Sequence, residues 1–323
     1  MTMQLPRTSA APAAPATSEI REWAAERGLT ARPGVWPLLH IAALLAAWAA
    51  ACALGFAAGT LWVWLPIWCF GAFVLMGCAG AAHDCIHGTF ARSRLGNTIA
   101  GHLLLLAVGA PFATYRQFHL FHHTHTLGEH DPEGRPADFT ARWQYALYMV
   151  ALGPGFLGLI WMQTIASAFG RPPAWARTAS SRRVLRTAWL PTLPLLVVLL
   201  YACTQSAAVR AVWLWPWVLL LCPVLPFVLL SEHYGGHRGD GLLANTYTIR
   251  SNRATSFVLF NINHHTAHHL VPRVPGGRLR ELDDLIAPYE QCRARGYLAF
   301  HVGLLRSLPW RTPRSTSRHE GRG

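Results

Sequence analysis

The sequence predicts an all-α integral membrane protein: four transmembrane helices in two hairpins, interfacial or re-entrant helices beside them, and a cytoplasmic histidine-rich cap. Three observations predict it. Hydrophobic residues make up 52% of the chain and charged residues only 13%, about half the charged share of an ordinary soluble domain. Several apolar runs are long enough to cross a hydrocarbon layer of about 30 Å as helices. Most of the 17 histidines gather in a few short stretches beside those runs.

Along the chain, residues 1–17 are rich in Ala, Pro, Ser and Thr and are expected to be a disordered tail. No cleavable signal peptide is visible in them. Ser18 to Arg27 is expected to form a short amphipathic helix on the membrane surface, with Ser18 as its cap. A membrane domain is expected over residues 18–305 and a basic flexible tail over 306–323. Within the domain, Trp36–Ala58 and Thr60–Ala82 form the first expected hairpin. Ile99–Phe112 is shorter and broken by Gly109 and Pro111, so it is expected to dip into the bilayer and return. Trp189–Cys203 and Val212–Leu230 form the second expected hairpin.

Tyr145–Phe169 is the ambiguous run. If it crossed, the following loop with its five arginines (171–186) would land opposite the first histidine stretches, against the excess of basic residues on cytoplasmic loops. Gly153, Pro154, Gly155 and Gly158 also suit a bent, interfacial segment. Treated as non-crossing, it leaves four spans, with the histidines and both termini on the cytoplasmic side. The 14 tryptophans fit membrane interfaces. The net charge of +13 is carried by arginine alone, which hints at a GC-rich bacterial genome and an inner-membrane location. The arginines are scattered between apolar runs, so nucleic acid is not an expected partner. The seven cysteines are odd in number and lack a CxxC, so neither disulfides nor a zinc site are expected.

The histidines carry the chemistry. His83 and His87 end the second span at helical spacing i and i+4, where both rings reach one ion. His119, His122 and His123 form an HxxHH stretch, as do His265, His268 and His269. His233 follows the last span. Polar groups placed just beyond apolar segments are costly unless they are used. Nine imidazoles exceed what one zinc ion takes, and two ions holding four or five each fit better. Spacing alone leaves iron, copper and zinc open. His40, His102, His301 and His319 are expected to be structural. Asp84, Asp131, Glu133, Glu232, Asn261 and Asn263 lie in or beside the stretches and are candidates to orient the imidazoles, since a ligating histidine commonly donates its other N–H to an oxygen.

Over roughly residues 62–279 the chain resembles the membrane fatty acid desaturase family. The resemblance rests on HDCIH at 83–87, HLFHHTHT at 119–126 with Asp131-Pro132-Glu133 after it, Glu232-His233-Tyr234-Gly235, and NHHTAHHLVPRVP at 263–275. It implies a site with two non-haem iron ions held by the nine histidines, and O₂ as co-substrate. It also implies an oxidoreductase that introduces a C=C bond into an acyl chain with two electrons from an external donor. The acyl carrier would be coenzyme A, an acyl carrier protein or a phospholipid. Where relatives often read Thr-Arg-Thr before the third box, this chain reads Thr246-Tyr247-Thr248, a departure that bears on substrate contacts. No His-Pro-Gly-Gly haem signature is present, so a separate ferredoxin or cytochrome b5 is the expected donor. Related histidine-box oxygenases, such as carotenoid ketolases and hydroxylases, lipid hydroxylases or desaturases of specialised metabolites, are the alternative. A non-catalytic metal transporter is disfavoured, because the four expected spans carry almost no ionisable groups.

Overall fold

A computed structural model describes residues 14–133, 139–234 and 241–310. Residues 1–13 and 311–323 of the two expected tails lie outside that description, as do His237 and His319. Within it the chain is almost wholly helical. Helix α1 (Thr17–Glu26) begins one residue earlier than expected and has no side-chain cap, leaving Ser18 inside its first turn. Its Ile20 and Ala24 are fully buried against Leu270, Leu279 and Leu282. The apolar face expected to lie on the membrane is thus covered by the protein's own cap, which removes it from water equally well.

Among the described residues, four helices are long and apolar enough to cross a membrane: α2 (Trp36–Ala58), α3 (Leu61–His87), α6 (Arg142–Ala168) and the 27-residue helix Ala207–His233. By length and composition the number is as expected, but α6 stands among the four where the expected third span does not. The expected third span is the 13-residue helix α8 (Leu193–Gln205), about 20 Å long at 1.5 Å per residue. It is shortened at its start by the turn Trp189–Thr192 and at its end by Ser206, whose hydroxyl accepts the Val209 N–H. Conversely, α6 runs unbroken through Pro154 and its glycines, which transmembrane helices tolerate when neighbours satisfy the freed backbone groups. Gly153 is needed there: a Cβ would stand 2.1 Å from the Leu221 carbonyl oxygen of the packed neighbour.

Two hairpins are present. Helices α2 and α3 turn at Gly59 and Thr60. Helix α8 turns at Ser206 into α9 (Ala207–His233), where the Arg210 guanidinium donates to Cys203 O at 2.7 Å. Helices α4 (Arg94–Val108) and α5 (Phe112–His125) meet at a 100° bend over Gly109 and Pro111. The bend is braced by indole N–H groups: Trp161 donates to Gly109 O, Trp213 to Ala107 O and Trp217 to Val108 O. Large apolar residues such as Trp36, Trp62 and Phe169 are exposed near helix ends, as a lipid-facing surface with interfacial aromatics requires.

Helix α7 (Ala179–Thr187) closes the Arg-rich loop back onto α5. The Ser181 hydroxyl donates to Gln117 at 3.1 Å, and Trp175 packs edge-on against Phe118. Beyond α9 the cap is built from α10 (Leu242–Asn245), β1 (Thr248–Ile249), α11 (Arg253–Val258), α12 (His265–Leu270), α13 (Leu279–Ile286), β2 (Arg293–Ala294) and α14 (Tyr297–Ser307). Strands β1 and β2 pair in parallel, Thr248 opposite Arg293. Two of the expected structural histidines have such roles. His40 donates to Phe257 O at 2.7 Å between two phenyl rings, and His301 joins Tyr145 to Phe227 O.

Candidate metal centre

Helix α3 is the post on which the site is built. Its apolar run continues as helix through His83 and His87, so the two rings meet edge-on on one face with centroids 4.9 Å apart. Two glycines on α3 admit the loop that leads to the third histidine stretch. A Cβ at Gly77 would stand 2.4 Å from Val258 O, and one at Gly80 2.8 Å from Leu259 O. That approach brings α12 against α3. The loop itself holds Phe260 and Asn261 at φ 56° and 61°, a left-handed conformation that side chains rarely adopt and that tends to persist at functional sites.

The structure brings all nine candidate histidines into one buried cluster. His83, His87, His119, His123 and His268 present ligand atoms within 4.8 Å of one another, and His122, His233 and His269 form a second such group. His265 belongs beside the second group, its Nε2 3.2 Å from His233 Nε2 and 3.1 Å from His269 Nε2. The spacing suits ions held at about 2.1 Å, where ligands on opposite sides stand about 4.2 Å apart. The donor set fits as well. Nε2 atoms face each other at 2.9 Å between His119 and His123 and between His123 and His268. The Nε2 atoms of His83 and His87 are buried without a hydrogen-bond partner. Burial, reinforced by the neighbouring imidazoles, holds His265, His268 and His269 well below the ordinary histidine value. Their rings are therefore neutral at pH 7, with lone pairs available to a cation.

Three of the opposite ring nitrogens are anchored outside the cluster. His122 Nδ1 lies 2.9 and 3.0 Å from the Asp131 carboxylate oxygens, and His119 Nδ1 lies 3.1 Å from Glu133. His233 Nδ1 donates to Asn245 O at 3.3 Å. Each bond fixes a tautomer whose lone pair points inward. Asp131 also accepts the N–H groups of Leu127 and Glu133. Burial alone would raise its pKa, but the His122 hydrogen bond and charge together with those N–H groups hold it below the usual carboxylate value. Burial pushes Glu133 up.

Of the six polar candidates, Asp131 and Glu133 meet ring nitrogens directly, and Glu232 stands 3.7 Å from His265 Nε2. The other three lie elsewhere. Asp84 accepts the Gly276 N–H at 2.9 Å and so ties the chain after α12 to α3. Asn263 bonds the backbone of Ile249, and Asn261 occupies the left-handed turn. Two residues beside these rings were not singled out from the sequence. Tyr115, four positions before His119 and hence on the same face of α5, has its ring 5.7 Å from that imidazole. Thr126 donates to His122 O at 3.0 Å and stands 3.4 Å from His269 Nδ1. The i, i+4 spacing was the available signal for Tyr115; none pointed to Thr126.

An apolar cavity ends on this cluster. Met76, Leu105, Val108, Ile160, Leu221 and Leu225 line its apolar part, and His83, His119, His122, His233 and His265 with Tyr115, Glu133 and Glu232 line its polar end.

Comparison with known proteins follows the same lines. The fatty acid desaturase family model matches residues 62–303. An endoplasmic-reticulum omega-3 fatty acid desaturase of Nicotiana tabacum is 24% identical over 75% of this chain and 71% of its own length. An sn-1 oleoyl-lipid 12-desaturase of Picosynechococcus is 24% identical over 67% of each chain. A sphingolipid delta(4)-desaturase of Drosophila melanogaster is 26% identical over 68% of this chain and 66% of its own.

Proposed function

This chain belongs to the fatty acid desaturase family, and from that premise we propose that it is an O₂-dependent di-iron acyl desaturase that forms a C=C bond in a lipid chain. It is an oxidoreductase of the membrane. One observation carries the finer reading: the apolar cavity terminates on the two imidazole groups. An alkyl chain entering it would gain about 0.8 kcal/mol per buried methylene and present its carbons to the cluster.

The protein's own groups supply position and dryness. His122 Nδ1–H donates to Asp131, and His119 Nδ1 engages Glu133, so that each ring's Nε2 faces inward. Leucine and isoleucine side chains exclude water from the cavity, which protects a reactive oxidant from side reactions. Held by the nine histidines, two iron ions would supply the activation of O₂ needed to break an unactivated C–H bond. The relatives act on different lipids by name, so the acyl carrier (coenzyme A, carrier protein or phospholipid) is read from the surface. The segment 171–186, with its five arginines, meets α5, the helix of the second histidine stretch, through Arg177 over the Phe121 ring and Ser181 on Gln117. These arginines would receive an anionic head group or an acidic electron donor such as ferredoxin or cytochrome b5. In this reading the chain sits in a bacterial inner membrane with the histidines and both termini cytoplasmic.

The test is expression in a desaturase-deficient host beside a His268→Ala control, followed by fatty-acid analysis. A new unsaturated acid that disappears in the control is the expected result. An oxygenated product in its place would assign the chain to the related hydroxylases.

A further inference from the structure

Three carboxylates approach the imidazole cluster, and they do so from different sides. Asp131 and Glu133 face Nδ1 atoms, on the ring edges turned away from the two groups. Glu232 does not. Its Oε2 lies 3.7 Å from Nε2 of His265, the same nitrogen that faces Nε2 of His233 and His269. Its side chain is only 12% exposed and lines the cavity at the cluster. It is also chemically fixed in place, next to His233 at the end of α9.

The two groups are unequal. One offers five imidazoles: His83, His87, His119, His123 and His268. The other offers three and, with His265, four. An imidazole binds a metal as a neutral donor, so two divalent ions bound by the nine rings alone would leave about four positive charges in an apolar setting. Such burial is costly unless an anion compensates it. A carboxylate oxygen directed at the four-imidazole group would supply a fifth ligand and a negative charge together.

From this geometry we infer that Glu232 is itself a ligand of the ion held by His122, His233, His265 and His269, not a group that orients an imidazole from outside. The inference rests on the di-iron reading above, and it makes the two iron environments chemically distinct: all-nitrogen at one, nitrogen and carboxylate at the other.

The purified full-length protein is loaded with ⁵⁷Fe(II) without oxygen or substrate, then read by Mössbauer spectroscopy and by competition with a chelator. Wild type is expected to hold two irons that give two quadrupole doublets. Glu232→Gln should change one doublet only and release that iron at least about tenfold more readily, the lower end of the range seen when groups supporting a metal are lost. Glu133→Gln, acting from the outer edge of His119, should instead disturb the other doublet. Both irons retained with unchanged doublets in Glu232→Gln would overturn the inference while leaving the di-iron reading intact. Fewer than two irons in wild type would overturn both. Should Glu232→Gln fail to fold, Glu232→Asp decides the matter: shortening a ligand by one methylene alters one doublet, and an unaltered pair overturns the assignment.

Discussion

At the scale of single residues, the site is a problem in directing nitrogen lone pairs. Asp131 is the best example, because it receives His122 and two backbone N–H groups at once. Asp131→Asn should weaken metal retention by about 10- to 100-fold, the usual consequence of losing a partner behind a ligating histidine. Chelator competition on the purified protein checks this. A second buried network lies behind His264. The Thr248 hydroxyl stands 3.0 Å from Asp283 and 2.6 Å from Glu290, and His264 Nδ1 stands 3.3 Å from Asp283. Burial and the Asp283 charge push Glu290 up to about 8. Burial works the same way on Asp283, but the hydrogen bond and charge of His264, with help from Glu290 and Thr248, hold it down. A carboxyl raised in the fold stabilises it while protonated. The contribution of Glu290 is full below its ordinary value of 4.5 and is lost as pH rises towards about 8. Melting temperature in detergent should therefore fall between about pH 4.5 and 8 in wild type and fall less in Glu290→Gln.

At the scale of elements, the site depends on how closely the α11–α12 loop approaches α3. Gly77 and Gly80 permit it. Gly77→Ala should cost about 1–3 kcal/mol, because the new methyl must displace the Val258 carbonyl from a packed interface. Gly158→Ala meets nothing within 4 Å in the middle of α6, so it should leave stability unchanged or raise it by up to about 1 kcal/mol. Thermal unfolding of the two variants side by side measures the contrast. The helical spacing that paired His83 with His87 was legible in the sequence, since periodicity is local. The identity of the helix that packs on them was not. Nothing in the sequence reveals that two glycines in an apolar run face a carbonyl from residues 258 and 259.

At the scale of the whole molecule, α6 is the element whose role the sequence and the fold weigh differently. It has the length and composition of a span. Yet the loop after it returns to α5, with Ser181 on Gln117 and Arg177 over the Phe121 ring. That contact joins the Arg-rich segment to the helix carrying His119, His122 and His123. Ser180 is exposed at the start of α7. A Ser180→Cys variant should react with a membrane-impermeant thiol reagent in inverted vesicles and stay protected in right-side-out cells. The reverse pattern would place α6 across the bilayer with its arginines outside.

The sequence by itself determined the membrane class, the helical architecture and the family, because hydrophobic run length, composition and short motif spacing are all local properties of the chain. It also singled out the nine histidines as a set. Only the tertiary structure decided how they divide, five and four, since that depends on which helices meet and at what angle. It also decided which polar neighbours touch a ring. Asp131 and Glu133 come to the outer edges of His122 and His119, Glu232 to the inner side of His265, and Asp84 binds a backbone N–H instead. Adjacency in sequence places a carboxylate near a histidine, but the side of the ring it meets is set by how separate segments pack against one another, from 9 residues apart for Asp131 and His122 to 33 for Glu232 and His265.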